Sequence, residues 1–270
     1  MWTADKLIYR GKDDFIRAYQ GSELVWERQS PDSDIIYTSR SGKVIEPDSK
    51  GFDAKILSNT YSDGVGRITF DGILTQIGQA FTNTDLASIV IPPSVKTLVG
   101  WCFAGTGLIS LRIPDSVTKI YNDPIIANTE VEEIVVDKNN KHFDSRDNCN
   151  AIIRTDVPGS IQLVTGCKTT VIPEGVTDIM SNAFLGCQGL TTITIPSSVT
   201  GKRSYIGQNA FYQCYNLKEV IVYAVDPPDL TDNVFDLNAP GRKIKVPAES
   251  LQAYKTAPGW SQYADDIIAQ

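Results

Sequence analysis

Residues 183–199 read AFLGCQGLTTITIPSSV, and the grammar of this stretch recurs wherever the chain is regular. It returns at residues 210–222 (AFYQCYNLKEVIV), 102–117 (CFAGTGLISLRIPDSV) and 80–95 (AFTNTDLASIVIPPSV), while 170–176 (TVIPEGV) keeps the strand and its proline. In each copy an apolar residue is followed three and five positions later by two more, as in Leu190, Ile193 and Ile195. Alternation with period two puts Ile193 and Ile195 on one face of a short strand and Thr192 and Thr194 on the other. Pro92, Pro114, Pro173 and Pro196 lack an amide donor and suit the residue that leaves a strand.

Pro92 and Pro114 are 22 residues apart, and Pro173 and Pro196 are 23 apart. A unit of this length cannot bury its own apolar face, so stacking of units is obligatory. A second anchor recurs between the strands at Phe81, Phe103, Ile125, Phe184, Phe211 and Phe235, and these side chains are expected to fill the interior opposite the sheet.

The phrase A-F-x-x-C-x-x-L-x-x-I-x-I-P-x-x-V resembles the BspA-like leucine-rich repeat, a bacterial surface-protein type also described from treponemal proteins. The resemblance covers about residues 65–247. Where the commoner leucine-rich pattern places Asn or Cys after the last strand leucine, this chain has Ser198 following Pro196. The resemblance implies a leucine-rich-repeat solenoid, mostly β and loop, with a curved parallel sheet and an irregular convex side. It also implies an extracellular or cell-surface setting and a role in adhesion or partner binding.

Three segments are expected. Residues 1–62 form an all-β N-terminal segment whose preferred role, at least over 31–62, is to cap the open end of the first repeat, because an uncapped solenoid exposes apolar interior and unpaired strand edge; a separate binding module is the alternative. Within it, alternating runs at 6–9, 15–19 and 24–26 read as strands, residues 34–46 as a hairpin turning at Ser41-Gly42, and 52–57 as a further strand. Residues 63–247 form the solenoid, with its first strand at 67–70 and an insertion near 137–167. Residues 248–270 form a helical C-terminal cap of two short helices broken at Pro258-Gly259, with Leu251, Tyr254, Trp260, Tyr263 and Ile267 on the apolar side. The tail VPAESLQAYKTAPGW at 246–260 also resembles that of such repeat proteins.

The insertion begins with acidic residues, but Lys141, His142 and Asn148 stand where an EF-hand needs an acid or amide, Gly and Glu. A β-hairpin of 151–155 against 161–165 around Val157-Pro158-Gly159 fits better. Without a bulge that register sets Cys149 opposite Cys167, close enough for a disulfide. Two buried thiols is the preferred state of this pair.

The chain carries net charge −7 with no block of like charge and no basic patch, which argues against nucleic acid or an anionic membrane as partner. It has no apolar run of membrane-spanning length, and its start lacks the apolar core of a signal peptide. Five cysteines are too few for a disulfide scaffold; Cys187 and Cys214 share a repeat slot and read as small buried hydrophobes. With one histidine and no C-x-x-C, neither a metal site nor a cofactor is expected.

Catalytic signals are equally thin. His142 is the only histidine, no G-x-S-x-G is present, and Gly201-Lys202 is followed by Arg203, not the Ser or Thr of a phosphate loop. Paired acids at Asp144 and Asp147, or Glu132 and Glu133, are the remaining hydrolase candidates, and solvated surface is their ordinary role. The leading reading is a non-enzymatic, monomeric protein that binds a protein or peptide through the outward row of the sheet: Arg67, Thr69, Val90, Arg112, Glu133, Val135, Val171, Thr194, Glu219, Ile221 and Lys245. Eight short strands give a face of about 440 Å², against about 800 Å² from each partner in a stable interface. A carbohydrate-binding or carbohydrate-degrading accessory role, drawing on Trp2, Trp26, Trp101 or Trp260, and a spacer without its own ligand are the alternatives.

Overall fold

A computed structural model describes residues 33–125, 127 and 130–270 in full, and three further strands, β1 (Lys6–Arg10), β2 (Phe15–Gln20) and β3 (Glu23–Gln29), as backbone. These three pair antiparallel in the order β1-β2-β3, as the alternating runs predict. The chain divides into two units, Met1–Ile125 with Val136–Asn140, and Ile126–Val135 with Lys141–Gln270.

The first unit holds β4 (Ile35–Ser39), β5 (Ile56–Ser62), β6 (Val65–Phe70), β7 (Gln76–Ile77), β8 (Leu86–Val90), β9 (Thr97–Val99), β10 (Ser110–Ile113) and β11 (Lys119–Tyr121). Its larger sheet has the order β5-β6-β4-β8 with antiparallel pairing throughout. The sequence predicts β6 as the first strand of a parallel row; instead β4 lies between β6 and β8, with Ile36 opposite both Arg67 and Val90. All five β4 residues are buried, so this strand needs a partner at each edge and cover on each face. Gly66 lies under the Tyr37 ring, where a Cβ would meet it at 2.1 Å.

Ser41-Gly42 does form a turn, but the second arm of the expected hairpin is not a strand. Its backbone is satisfied by side chains: Lys43 N donates to Ser39 Oγ at 3.0 Å and Ile45 N to the Tyr37 hydroxyl at 3.1 Å. The further strand starts at Ile56, Phe52 making only an isolated bridge with Ile77. On the other side of the coils, β7, β9 and β11 pair in parallel, with Ile77, Leu98 and Ile120 in one buried row.

After β12 (Glu133–Val136), the second unit continues through β13 (Phe143–Asp144), β14 (Ala151–Arg154), β15 (Gln162–Gly166), β16 (Asp178–Ile179), β17 (Thr192–Ile195), β18 (Tyr205–Ile206), β19 (Glu219–Val222), β20 (Asp229–Leu230), β21 (Lys243–Val246), a helix α1 (Leu251–Thr256) and β22 (Ile267–Ala269). The repeat strands pair in parallel as β17-β19-β21-β22, with Ile193, Val220, Ile244 and Ile267 in one inward row. The opposite side is not wholly irregular, because β15, β16, β18 and β20 form a second parallel ribbon of short strands. The expected hairpin is β14 with β15, and it belongs to that ribbon.

The predicted aromatic anchors fill the space between the two ribbons. Phe184 stacks on Phe211 with ring centroids 4.9 Å apart, and Phe211 on Phe235 at 5.4 Å. In the first unit Phe52, Phe81 and Phe103 follow one another at 5.8 and 6.1 Å. Ser198 works where the commoner pattern uses Asn or Cys: its hydroxyl donates to the Val176 carbonyl at 2.6 Å and accepts from Gly175 N at 2.9 Å, tying two coils together.

Two local expectations are corrected here. At Val171 no strand forms; its N–H donates to the Cys149 carbonyl at 3.1 Å, a single bond where a ladder needs several. At the C-terminal end only α1 is helical beyond a single turn, and the second expected helix is replaced by that turn, Ser261–Tyr263, and by β22. The open edge of β21 supplies the reason: Ile244 N donates to the Asp266 carbonyl and Gln270 N to the Val246 carbonyl, both at 2.9 Å, which outweighs the weak helix preference of Ile267-Ile268. Tyr254, Trp260, Tyr263 and Ile267 are nonetheless all buried, as expected. The Tyr254 hydroxyl and Trp260 indole N–H reach the carbonyls of Ala224 and Pro228, each at 2.8 Å.

Phe211→Ala removes the middle ring of the stack, and the cavity is expected to cost about 3–5 kcal/mol, read as a lower urea midpoint. Deleting residues 31–62 removes β4 and β5 and uncovers Ile68 and Ile89, so the truncated chain should aggregate or partly unfold. Size-exclusion chromatography and thermal melting check this; a monomer with an unchanged melting temperature would contradict it.

Candidate functional site

Parallel register in the second unit decides which side chains share a surface. Thr194, Ile221, Lys245 and Ile268 are mutually opposite on β17, β19, β21 and β22, flanked by Thr192, Glu219 and Lys243 one step earlier. Their inward neighbours are all buried, so this row is the outer face. Glu219 forms an ion pair with Lys245 on the next strand. Both side chains are about a third exposed, so the pair sets orientation more than stability. The row therefore offers hydroxyl, aliphatic and charged chemistry within about four strands' width.

Of the candidate residues in this unit, Thr194, Glu219, Ile221 and Lys245 stand together on that face. Glu133 and Val135 lie on β12, the first exposed and the second half-buried. Val171 is 71% exposed on non-strand backbone. Ile268, 37% exposed, completes the face and is missing from the sequence-based set. Its signal was the Ile267-Ile268 pair, which a helical pattern absorbs and a strand pattern would have aimed outward.

In the first unit the expected face is interrupted by the inserted β4. Val90 is only 7% exposed and clusters with Ile36 and Val65, because the inserted β4 sets Ile36 beside it. Val90 is thus a core residue. Arg67 is committed to Asp34, itself buried, with Nε at 2.5 Å from the carboxylate. Thr69 shares a hydrogen bond with Ser58 at 2.7 Å, and Arg112 is exposed on β10.

The residues weighed for chemistry are engaged elsewhere. Asp144 is held by Arg146 with Nη2 at 2.6 Å, and Glu132 by Lys168 at 2.8 Å. His142 Nδ1 sits 2.7 Å from Asp156 on the surface. Among the described residues no group of three His, Cys, Asp or Glu is placed to hold a metal ion. Trp260 is fully buried; Trp101 is exposed; Trp2 and the side chain of Trp26 lie outside the described residues.

The hairpin register also settles the two cysteines. Arg154 pairs with Gln162 and Ile153 with Leu163 as predicted, but a bulge at Val164 then shifts the ladder to Ile152 with Thr165 and Ala151 with Gly166. Extended outward, that ladder no longer sets Cys149 against Cys167. Both are free and buried; Cys149 Sγ lies 3.9 Å from the Ala151 carbonyl and Cys167 Sγ 3.5 Å from that of Asn150.

Residues 60–165 and 163–255 match the BspA type leucine rich repeat region, in six copies. Among solved structures, the chain is similar to a leucine rich cell surface protein from Faecalibacterium prausnitzii A2-165, at 20% identity over 69% of this chain and 54% of that one, with a TM-score of 0.45. It is similar to a leucine-rich repeat protein from Eubacterium ventriosum ATCC 27560, at 21% identity over 64% and 52% of the two chains, with a TM-score of 0.44. The pneumococcal vaccine antigen PcpA follows at 13% identity over 65% and 60%, with a TM-score of 0.37. The chain thus spans about half the length of the first two. No curated protein matches it.

All five cysteines are buried and none forms a disulfide. Burial pushes the Cys149 thiol up to about 11, and the Cys102 and Cys214 thiols are raised further for the same reason. A thiol reagent at pH 8 should therefore label the native chain very slowly and titrate five thiols once urea unfolds it. Rapid native labelling of Cys149 would contradict that picture.

Proposed function

The chain belongs to the BspA-type leucine-rich-repeat family, and we propose that it is a non-enzymatic adhesion protein, displayed on or released from a bacterial surface, that binds a protein or peptide. The observation that carries this reading is the open row Thr194, Ile221, Lys245 and Ile268, held in register by four parallel strands. A rigid sheet presents these side chains without ordering a loop on binding, which lowers the entropic cost of association. Aliphatic centres with charged and hydroxyl neighbours match the mixed chemistry of ordinary protein interfaces.

Size narrows the partner. Four strands of three or four residues give a face of roughly 240 Å², well below the ~800 Å² each side of a stable protein interface contributes. An extended peptide segment or a weak contact repeated many times over a surface suits such a face, and multivalent display then supplies avidity.

Chemical crosslinking on intact cells with mass-spectrometric identification names the partner, and variants assign the face. Ile221→Asp or Lys245→Glu should weaken the complex about tenfold or more, as loss of a central contact does, with the melting temperature unchanged. Wild-type affinity in both variants would move the site off this face.

A further inference from the structure

Trp101 occupies a backbone position that disfavours it. Its φ is +63°, in the left-handed region where a bulky L residue is an outlier. The same slot, two residues before the buried anchor of a coil, holds asparagine at Asn182, Asn209 and Asn233, each also left-handed and each two residues before Phe184, Phe211 or Phe235. Asparagine tolerates that conformation. Trp101 is 42% exposed, while Phe103 two residues on is fully buried. Its main chain is nonetheless pinned, with N–H donating to the Asp123 carbonyl at 3.0 Å and its carbonyl accepting from Thr82 Oγ1 at 3.0 Å and Ala104 N at 3.0 Å. An exposed aromatic side chain on a pinned, conformationally disfavoured backbone position is the kind of outlier from which function is inferred.

A second aromatic stands on the next coil. β9 and β11 pair with Val99 opposite Tyr121, and Tyr121 is 52% exposed. Gly100, between Val99 and Trp101, brings the two coils close: a Cβ there would meet Asn122 Cβ at 2.8 Å and the Tyr121 carbonyl at 3.0 Å. Polar residues accompany them on the same coils: Asn122 packs against Gly100, Thr97 is paired with Lys119 two positions before Val99 and Tyr121, and the Thr82 hydroxyl reaches the Trp101 carbonyl.

We propose that Trp101 and Tyr121 form a stacking platform for a pyranose ring of a glycan. A sugar ring offers a face of polarised C–H groups, which the electron-rich face of an aromatic ring attracts, and a rim of hydroxyls for amide, amine and hydroxyl partners. Area points the same way. The ribbon β7-β9-β11, three strands of about three residues, spans roughly 14 by 10 Å, a small fraction of the ~800 Å² per partner that a protein interface takes and the footprint of one or two sugar rings. The site lies on a different unit from the row proposed above to bind protein, so the two readings stand or fall separately.

The test is a titration of the whole chain, by tryptophan fluorescence and on a glycan array, with soluble α- and β-linked oligosaccharides of glucose, galactose, mannose and N-acetylglucosamine. At least one is expected to change the emission saturably. Trp101→Asn should abolish the change and weaken array binding about tenfold or more, Tyr121→Ala should weaken binding similarly, and Ile221→Asp should leave it unaltered. Because asparagine suits the slot, Trp101→Asn should melt at the wild-type temperature or above. A panel with no binder, binding that survives Trp101→Asn, or a melting temperature several degrees lower in that variant would each overturn the proposal, the last by showing the ring to be packing.

Discussion

Main-chain hydrogen bonding between equivalent positions of successive coils is the constraint from which the rest of the second unit follows. Ile193, Val220, Ile244 and Ile267 are brought opposite one another by it. Once those four are aligned, every other position repeats at the spacing of neighbouring strands, and Phe184, Phe211 and Phe235 stack almost parallel, with interplanar angles of 13° and 11°. The rings need no further specification. A coil that slipped by one residue would turn its whole apolar set outward, so alternation in the sequence and ladder in the structure enforce each other.

The same logic separates what the residues announce from what they do not. Strands of four alternating residues closed by proline, such as Thr192–Ile195, and anchors such as Phe211 are legible because each copy repeats the signal. The two-residue strands of the opposite ribbon are not, since Asp178–Ile179 or Tyr205–Ile206 is too short to show any period. β22 is invisible for a different reason: its pairing is decided by the unsatisfied edge of β21, which no local window contains. β4 combines both difficulties. Its residues read as a strand, but that it would enter between β6 and β8, and so bury Val90, depends on partners far along the chain.

The candidate surface was legible to the same partial degree. Thr194, Glu219, Ile221 and Lys245 follow from parity along strands whose register is regular, and the fold brings them together. Arg67 and Val90 followed from the same parity where the register is not regular, and there Asp34 and Ile36 claim them instead. The bulge at Val164 has a similar lesson on a smaller scale, for one extra residue undoes a pairing argument for everything outward of it. Left-handed backbone at Trp101 had no sequence signal at all beyond the asparagines that occupy the matching slot elsewhere.

Enclosure of all five thiols bears on how such a chain tolerates air and oxidant. An odd number of cysteines cannot be consumed in pairs within one molecule, so an unfolded copy always has a sulfur left over for a neighbour. Once Cys102, Cys149 and Cys214 are inside, attack by or on their sulfurs requires the coils to open, because the thiolate is suppressed and the path to it is closed. Vulnerability is then a matter of timing: coil closure competes with oxidation while the chain is being made, and a repeat that zips up from its neighbour has the advantage in that race.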